Sequence, residues 1–286
     1  MDGLDASVPT ISPARPFRGA VTTFGILCWS GFRRYATYRQ ATLAGSFTNI
    51  VFGFLRCYVL LAVAKGAPGG RPAGYDPEQL ATYVWVGQGL LTVVALWGWT
   101  DLSDRIRSGD IAADLLRPVS PVIGYLAPDL GRAAHGMLTR FVPPLVVGAI
   151  VFPLYVPARW LTVPLFALSI VLAIVGSFAC RFLVNATAYW LHDARGPLIL
   201  WTLSSGVLAG LYFPLRLLPD RLAVALWVAT PFPGLLQTPL DVLVERDPPA
   251  LQAGLVALQA AWAAILLAVC RVVQRRAERR LVVQGG

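Results

Sequence analysis

Few side chains in this chain could do chemistry, and each can be weighed. His135 and His192 have no second histidine or cysteine at ligand spacing, so a zinc or iron centre is not expected. His192 with Asp193 is the remaining raw material for an acid–base centre, and one HD dipeptide in a loop is a weak signal for an intramembrane enzyme. Cys28, Cys57, Cys180 and Cys270 lie far apart in or beside apolar segments and read as packing residues. A phosphate-cradling GxxxxGKS/T loop needs a Gly-Lys pair, and the one lysine is Lys65 in AKG, so this chain does not hydrolyse ATP.

Charge is concentrated elsewhere. Residues Asp101 to Pro121 read DLSDRIRSGDIAADLLRPVSP, with acids and arginines alternating around Leu102, Ile106, Ile111, Leu115 and Leu116. Gly109 is expected to divide the segment into two short helical pieces. Such a segment can seat apolar side chains in a partner's groove while Asp104, Arg105, Asp110, Asp114 and Arg117 fix the register. A solvated loop helix is the plainer alternative.

Two arginines stand within apolar sequence. Arg56 lies about 18 Å from the inner boundary of its span at the helical rise, too deep to reach either surface easily. It either meets an anionic headgroup or substrate in a cavity, or is capped by carbonyls, Asn49 and neighbouring hydroxyls. Arg181 lies further along its span and is expected to reach the inner headgroups as an anchor. Gly206 and Gly210, with Ser204 and Ser205 beside them, permit close helix approach and suggest a pore or subunit interface. Pro143 and Pro144 predict a kink.

The elements that must position these residues are membrane helices. With 56% hydrophobic and 14% charged residues and a mean hydropathy of +0.63, the chain is suited to lipid rather than water. We expect an all-α polytopic protein with six spans: 43–64, 80–99, 137–156, 161–191, 197–215 and 250–270. No aspartate or glutamate falls inside them, with Asp129 and Arg132 placed at the membrane surface before the third. Two shorter apolar pieces, 222–230 and 235–243, are separated by Pro231, Pro233 and Gly234 and read as a re-entrant hairpin before the last span. The expected divisions are a disordered tail at 1–16, an interfacial helix at 17–42, the permease domain at 43–280 and a tail at 281–286. No secretory signal is visible, so the first span is expected to direct insertion. With both termini inside, the inner loops hold 14 basic residues and the outer loops six, which places both termini in the cytoplasm. The net charge of +9 sits at the edges of apolar segments with no stacking platform, pointing to membrane lipids and away from nucleic acid.

GDIAADLLRPVSP after the second span, ATLAGSFTNIVFGFLR entering the first, and the six-span plan with its hairpin together resemble permease subunits of type-2 ABC exporters over about Phe17 to Arg280. The resemblance implies a cell-membrane half-transporter that pairs with a second permease, identical or related. It also implies two cytoplasmic nucleotide-binding subunits, with ATP and magnesium held there and no cofactor in this chain. The stretch from Asp101 to Pro121 would be the coupling helix, and the hairpin a cap on the exit side. Asn49, Arg56, Ser204, Ser205, Gly206 and Gly210 are the candidate cavity residues. Cargo would be hydrophobic or amphipathic: a drug, antibiotic, lipid or glycan. The rival is a scaffold or regulatory subunit of an envelope complex that transports nothing.

Overall fold

The computed structural model describes residues 16–37, 39–117, 119–191 and 193–284, and these are helical without a strand. His192 and nearly all of the expected N-terminal tail lie outside them.

Helix α1 (Pro16–Ala36) is the amphipathic segment expected at the interface, and it lies along α6 (Pro121–Gly136). Their crossing is made by two glycines. A Cβ on Gly131 would come within 1.8 Å of the Cys28 carbonyl oxygen, and one on Gly31 within 2.1 Å of the Pro128 oxygen. Gly131→Val should therefore lift α1 off at a cost of about 2 kcal/mol, roughly thirtyfold in local opening. Faster tryptic cleavage after the exposed Arg33 and Arg34 would report it.

Helix α2 (Arg39–Gly66) follows, and α3 (Pro77–Val94) starts in a capping box in which the Asp76 N–H donates to Gln79 Oε1 at 2.9 Å. Every α3 residue from Gln79 to Leu90 is buried, as befits a helix apolar on all sides. It packs against α2, α6, α8 (Thr162–Ala186) and α12 (Gln237–Leu243).

After α4 (Asp101–Ser108) and α5 (Ile111–Leu115), α6 begins at the Ser120 cap and Pro121, sixteen residues before the expected third span. It passes through a wide turn, Met137–Phe141, into α7 (Val142–Val151). The expected kink takes this form because Pro143 and Pro144 cannot donate to the Thr139 carbonyl four or five residues back. Ser46 on α2 supplies the missing bond, its Oγ lying 2.9 Å from the Thr139 oxygen.

Among the described residues, four stretches are long and apolar enough to cross a membrane: Thr42–Gly66, Pro121–Val151, Thr162–Leu191 and Pro249–Arg279. The third includes α9 (Ala188–Leu191), and the fourth belongs to α13 (Pro249–Gln284). The other two expected spans are cut short. Helix α3 stops at Val94 and α10 (Arg195–Leu208) at Leu208, giving lengths of about 27 and 21 Å from the helical rise. Between α10 and α13, α11 (Asp220–Ala229) and α12 flank a tight turn at Phe232–Leu235 where the two short apolar pieces were expected.

A buried polar network fixes that hairpin. Gln237 Oε1 accepts from Tyr83 OH at 2.6 Å and from the Leu215 N–H at 2.7 Å, while its Nε2 donates to Asp241 Oδ1 at 2.7 Å. Tyr75 OH reaches the same Asp241 oxygen at 2.5 Å, and Arg216 bridges Asp241 and Asp247 at 3.3 and 2.6 Å. Nearby, burial would raise the Glu245 carboxyl, but donors from Thr162, Tyr155 and the backbone of Arg159 and Ala158 outweigh it and hold the pKa down to about 2. A depressed carboxylate stabilises the fold above its unfolded pKa of about 4.3 and loses that contribution as pH falls toward the folded value. Thermal stability should thus decline between about pH 5 and 2, and Glu245→Gln should flatten that decline in a melting series across pH.

Candidate functional site

The site grows from the place where α3 ends. Ala95 adopts φ 55 and stops the helix, and Ala95 to Trp99 continue as a non-helical strap into α4. Non-helical backbone at this depth survives only where protein satisfies its polar groups. Arg132 on α6 donates to the Thr92 and Val93 carbonyls at 2.5 and 3.1 Å, capping the negative end of α3. Ser177 on α8 bonds the Ala95 oxygen at 3.1 Å, and Trp201 and Ser205 on α10 bond the Leu96 oxygen at 2.6 and 3.3 Å. Asn185 on α8 closes the series, donating to the Trp99 oxygen at 2.9 Å and accepting from the Ser103 N–H at 3.2 Å. Three helices thus grip the chain that leads to α4.

Behind the strap lies a buried ionic cluster. Asp129 pairs with Arg132 and with Arg181, each at 2.8 Å, and all three side chains are at most 9% exposed. The Arg181 guanidinium also lies 5.7 Å from the Trp99 ring centroid. Two expectations are corrected here. Arg181 is an internal partner rather than a headgroup anchor, and Asp129 is a buried carboxylate within a candidate span rather than a surface residue. The reason is the early start of α6, which carries Asp129 down alongside α8. The Asp129/Arg132 spacing of three, an ion-pair spacing on a helix, was the available signal.

Helices α4 and α5 form an elbow. Gly109, at φ 85, ends α4 in the left-handed region, where a side chain would be strained. The Arg105 guanidinium brackets the two arms, donating to Asp114 Oδ1 at 3.0 Å and to the Asp110 carbonyl at 3.2 Å, and Tyr125 OH donates to Asp114 at 2.8 Å. Leu102 and Ile111 are fully buried in a cluster with Val122, Phe178, Phe182 and Cys270. They anchor the elbow inward and cannot be knobs for a partner. Asp104, Gly109, Asp110 and Arg117 are exposed, Arg105, Ile106 and Leu115 half-buried, and Leu116 is 88% exposed.

The elbow shares one end of the molecule with α1 and the basic end of α13. Arg34 pairs with Asp101 at 3.0 Å, and Leu115 and Arg117 line a cleft with Arg271 and Arg275.

The candidate cavity residues do not converge on one site. Ser205 holds the strap, whereas Ser204 is half-buried and bonds the Leu200 carbonyl at 2.7 Å. Gly206 lies against Tyr212, and Gly210, at φ 83, follows the end of α10, where its carbonyl oxygen lies 2.6 Å from Tyr83 OH and shares that one proton with Gln237 Oε1. Asn49 and Arg56 lie two turns apart on the side of α2 that faces α3, and Asn49 donates to the Gln88 carbonyl at 3.2 Å. Among the described residues the three guanidinium nitrogens of Arg56 are enclosed without a hydrogen-bond partner, so neither carbonyls nor Asn49 and neighbouring hydroxyls cap it there. Sequence reasoning missed the Tyr75, Tyr83, Gln237 and Asp241 network, though Asp241 is a lone carboxylate in an apolar run.

Residues 50–285 match a family model described as ABC-2 family transporter protein; α1 and the first turns of α2 precede the match. No curated protein and no solved structure matches the chain. Members of that family are membrane components of ABC transporters, are not themselves catalytic and work with a nucleotide-binding ATPase subunit. The apolar helices, the polar-gripped strap and the match over most of the chain lead to one assignment: this is a multi-pass membrane protein that belongs to the ABC-2 transporter family.

Proposed function

We propose that the chain is the permease half of an ATP-driven exporter in the cell membrane, with both termini in the cytoplasm, and that the elbow α4–α5 receives the motion of a separate ATPase. The observation that supports this most is the strap. A push on the elbow is passed to α6, α8 and α10 together, because each donates to the backbone between Thr92 and Trp99. Residues 1–16 act as a tail, 17–42 as the interfacial connecting helix, 43–280 as a six-span transport domain and 281–286 as a second tail. A second permease, identical or related, completes the pathway, and the hairpin covers its outer end. Nucleotide binding and closure of the motor subunits would swing the paired elbows and alternate access to a cavity that includes Asn49 and Arg56.

The cargo is a hydrophobic or amphipathic compound such as a drug, antibiotic, lipid or glycan. ATP and magnesium reside on the motor subunit. Co-expression with a nucleotide-binding ATPase subunit of the ABC type tests the reading. The two should copurify in detergent, and ATP hydrolysis in proteoliposomes should exceed that of the motor alone. A chain that purifies without any ATP-binding partner and leaves hydrolysis unchanged would instead be a scaffold.

A further inference from the structure

Among the described residues, one enclosed guanidinium has no partner: the three nitrogens of Arg56 make neither a hydrogen bond nor an ion pair. Tyr83 and Tyr212 bring phenols within electrostatic reach, yet neither oxygen bonds the group. Arg56 stands ten residues from the nearer end of the candidate span Thr42–Gly66, about 15 Å at the helical rise. Its side chain is too short to reach the membrane surface from there. A charge at that depth is expensive and is kept where something compensates it.

The helices beside the group do not supply the compensating charge. Neither α2 nor α10, which carries Tyr212 beyond its end, contains an aspartate or glutamate. A second copy laid against α2 would bring another Arg56 rather than a carboxylate. The anion must then arrive on another molecule. Phe52, Leu55 and Val59, four and one residues before Arg56 and three after it, are exposed and form an apolar track on α2. A molecule that followed this track with a hydrocarbon chain could set an acidic group against the guanidinium, whose forked donors match carboxylate and phosphate oxygens. The enclosure fits such a role. The group is reached only when α2 parts from its neighbours, and that parting is the kind of motion alternating access requires.

We propose that Arg56 binds the acidic group of the cargo, so that the transported class is an amphiphile carrying a carboxylate or phosphate. This rests on the exporter reading and narrows it. Radiolabelled laurate, dodecyl phosphate, dodecanol and dodecylamine, equal in chain length, are to be bound to the full-length protein in neutral detergent. The two anions should bind at least about tenfold more tightly than dodecanol, and dodecylamine more weakly. Arg56→Met should bring the anions to the level of dodecanol and should melt no lower than the unmodified protein, because it removes an unpaired charge. Arg56→Lys should keep part of the preference, and Arg33→Gln, which removes an exposed cation on α1, should keep all of it. In proteoliposomes with the ATPase subunit, the anions should raise ATP hydrolysis, and with Arg56→Met they should not. Equal binding of the four probes, or a lower melting temperature for Arg56→Met, would overturn the proposal. Anions that bind through Arg56 without raising hydrolysis would mark a resident lipid site and overturn the assignment to cargo. Failure of the two subunits to copurify would instead sink the exporter reading, since the binding comparison needs no motor.

Discussion

Asp129→Ala should cost the protein about 3–5 kcal/mol, a large fraction of the whole stability of a typical domain. The substitution strands two guanidiniums that are at most 9% exposed, Arg132 and Arg181, with no carboxylate between them. An unpaired charge in a low-dielectric interior carries a desolvation cost that nothing repays. The damage should also spread along the backbone, because Arg132 then has reason to leave the Thr92 and Val93 carbonyls that it caps. Asp129→Asn, nearly isosteric, should fall in the same range, which would separate loss of charge from loss of volume. A combined Asp129→Leu and Arg181→Met replacement should recover much of the stability, since a buried pair replaced by apolar groups is often neutral. Equilibrium unfolding in detergent measures all three. A cost below about 1 kcal/mol for Asp129→Ala would be that of a hydrated surface pair and would show that water reaches the cluster.

The second large effect is a separation of function within one short segment. Leu116→Asp should abolish capture and stimulation of the motor ATPase while leaving the purified protein as stable as before, because Leu116 is 88% exposed and touches little of its own chain. Ile111→Asp should do the opposite kind of harm. Its side chain is 0% exposed, packed with Phe178, Phe182 and Val122, and a carboxylate there would loosen the elbow from the body. Loss of several kcal/mol and poor membrane yield are expected for Ile111→Asp, on the scale of burying an unpaired polar group. Binding assays on the two variants, with melting temperatures alongside, decide the matter. Normal ATPase stimulation by Leu116→Asp would remove the elbow from the docking role.

Much of the architecture could be read without coordinates. Apolar runs of about twenty residues, the glycine at 109 and the proline-rich break at 231–234 are local signals, and local signals act through local physics. The error over Asp129 has a different origin. Its neighbours in sequence suggest a membrane surface, and only the length of α6 carries it inside. Arg181 was placed by its distance along a helix, a measure that ignores what stands beside the helix. The elbow's apolar residues likewise divided into anchors and an exposed contact for reasons the pattern does not hold: Leu102 and Ile111 face α8 and α13, and Leu116 faces away.

The amino-acid sequence alone determined the solvent. A chain this rich in apolar residues is solvated by lipid, whatever the arrangement of its helices. Only the tertiary structure decided where helices stop. Ala95 takes a left-handed conformation with no glycine to announce it, and that conformation is held by donors from Arg132, Ser177, Trp201 and Asn185, residues 37 to 106 positions away along the chain when counted from 95. Hydrogen bonds that replace a helix's own can be supplied from any distance in sequence. The course of the strap is therefore a property of the assembled helices.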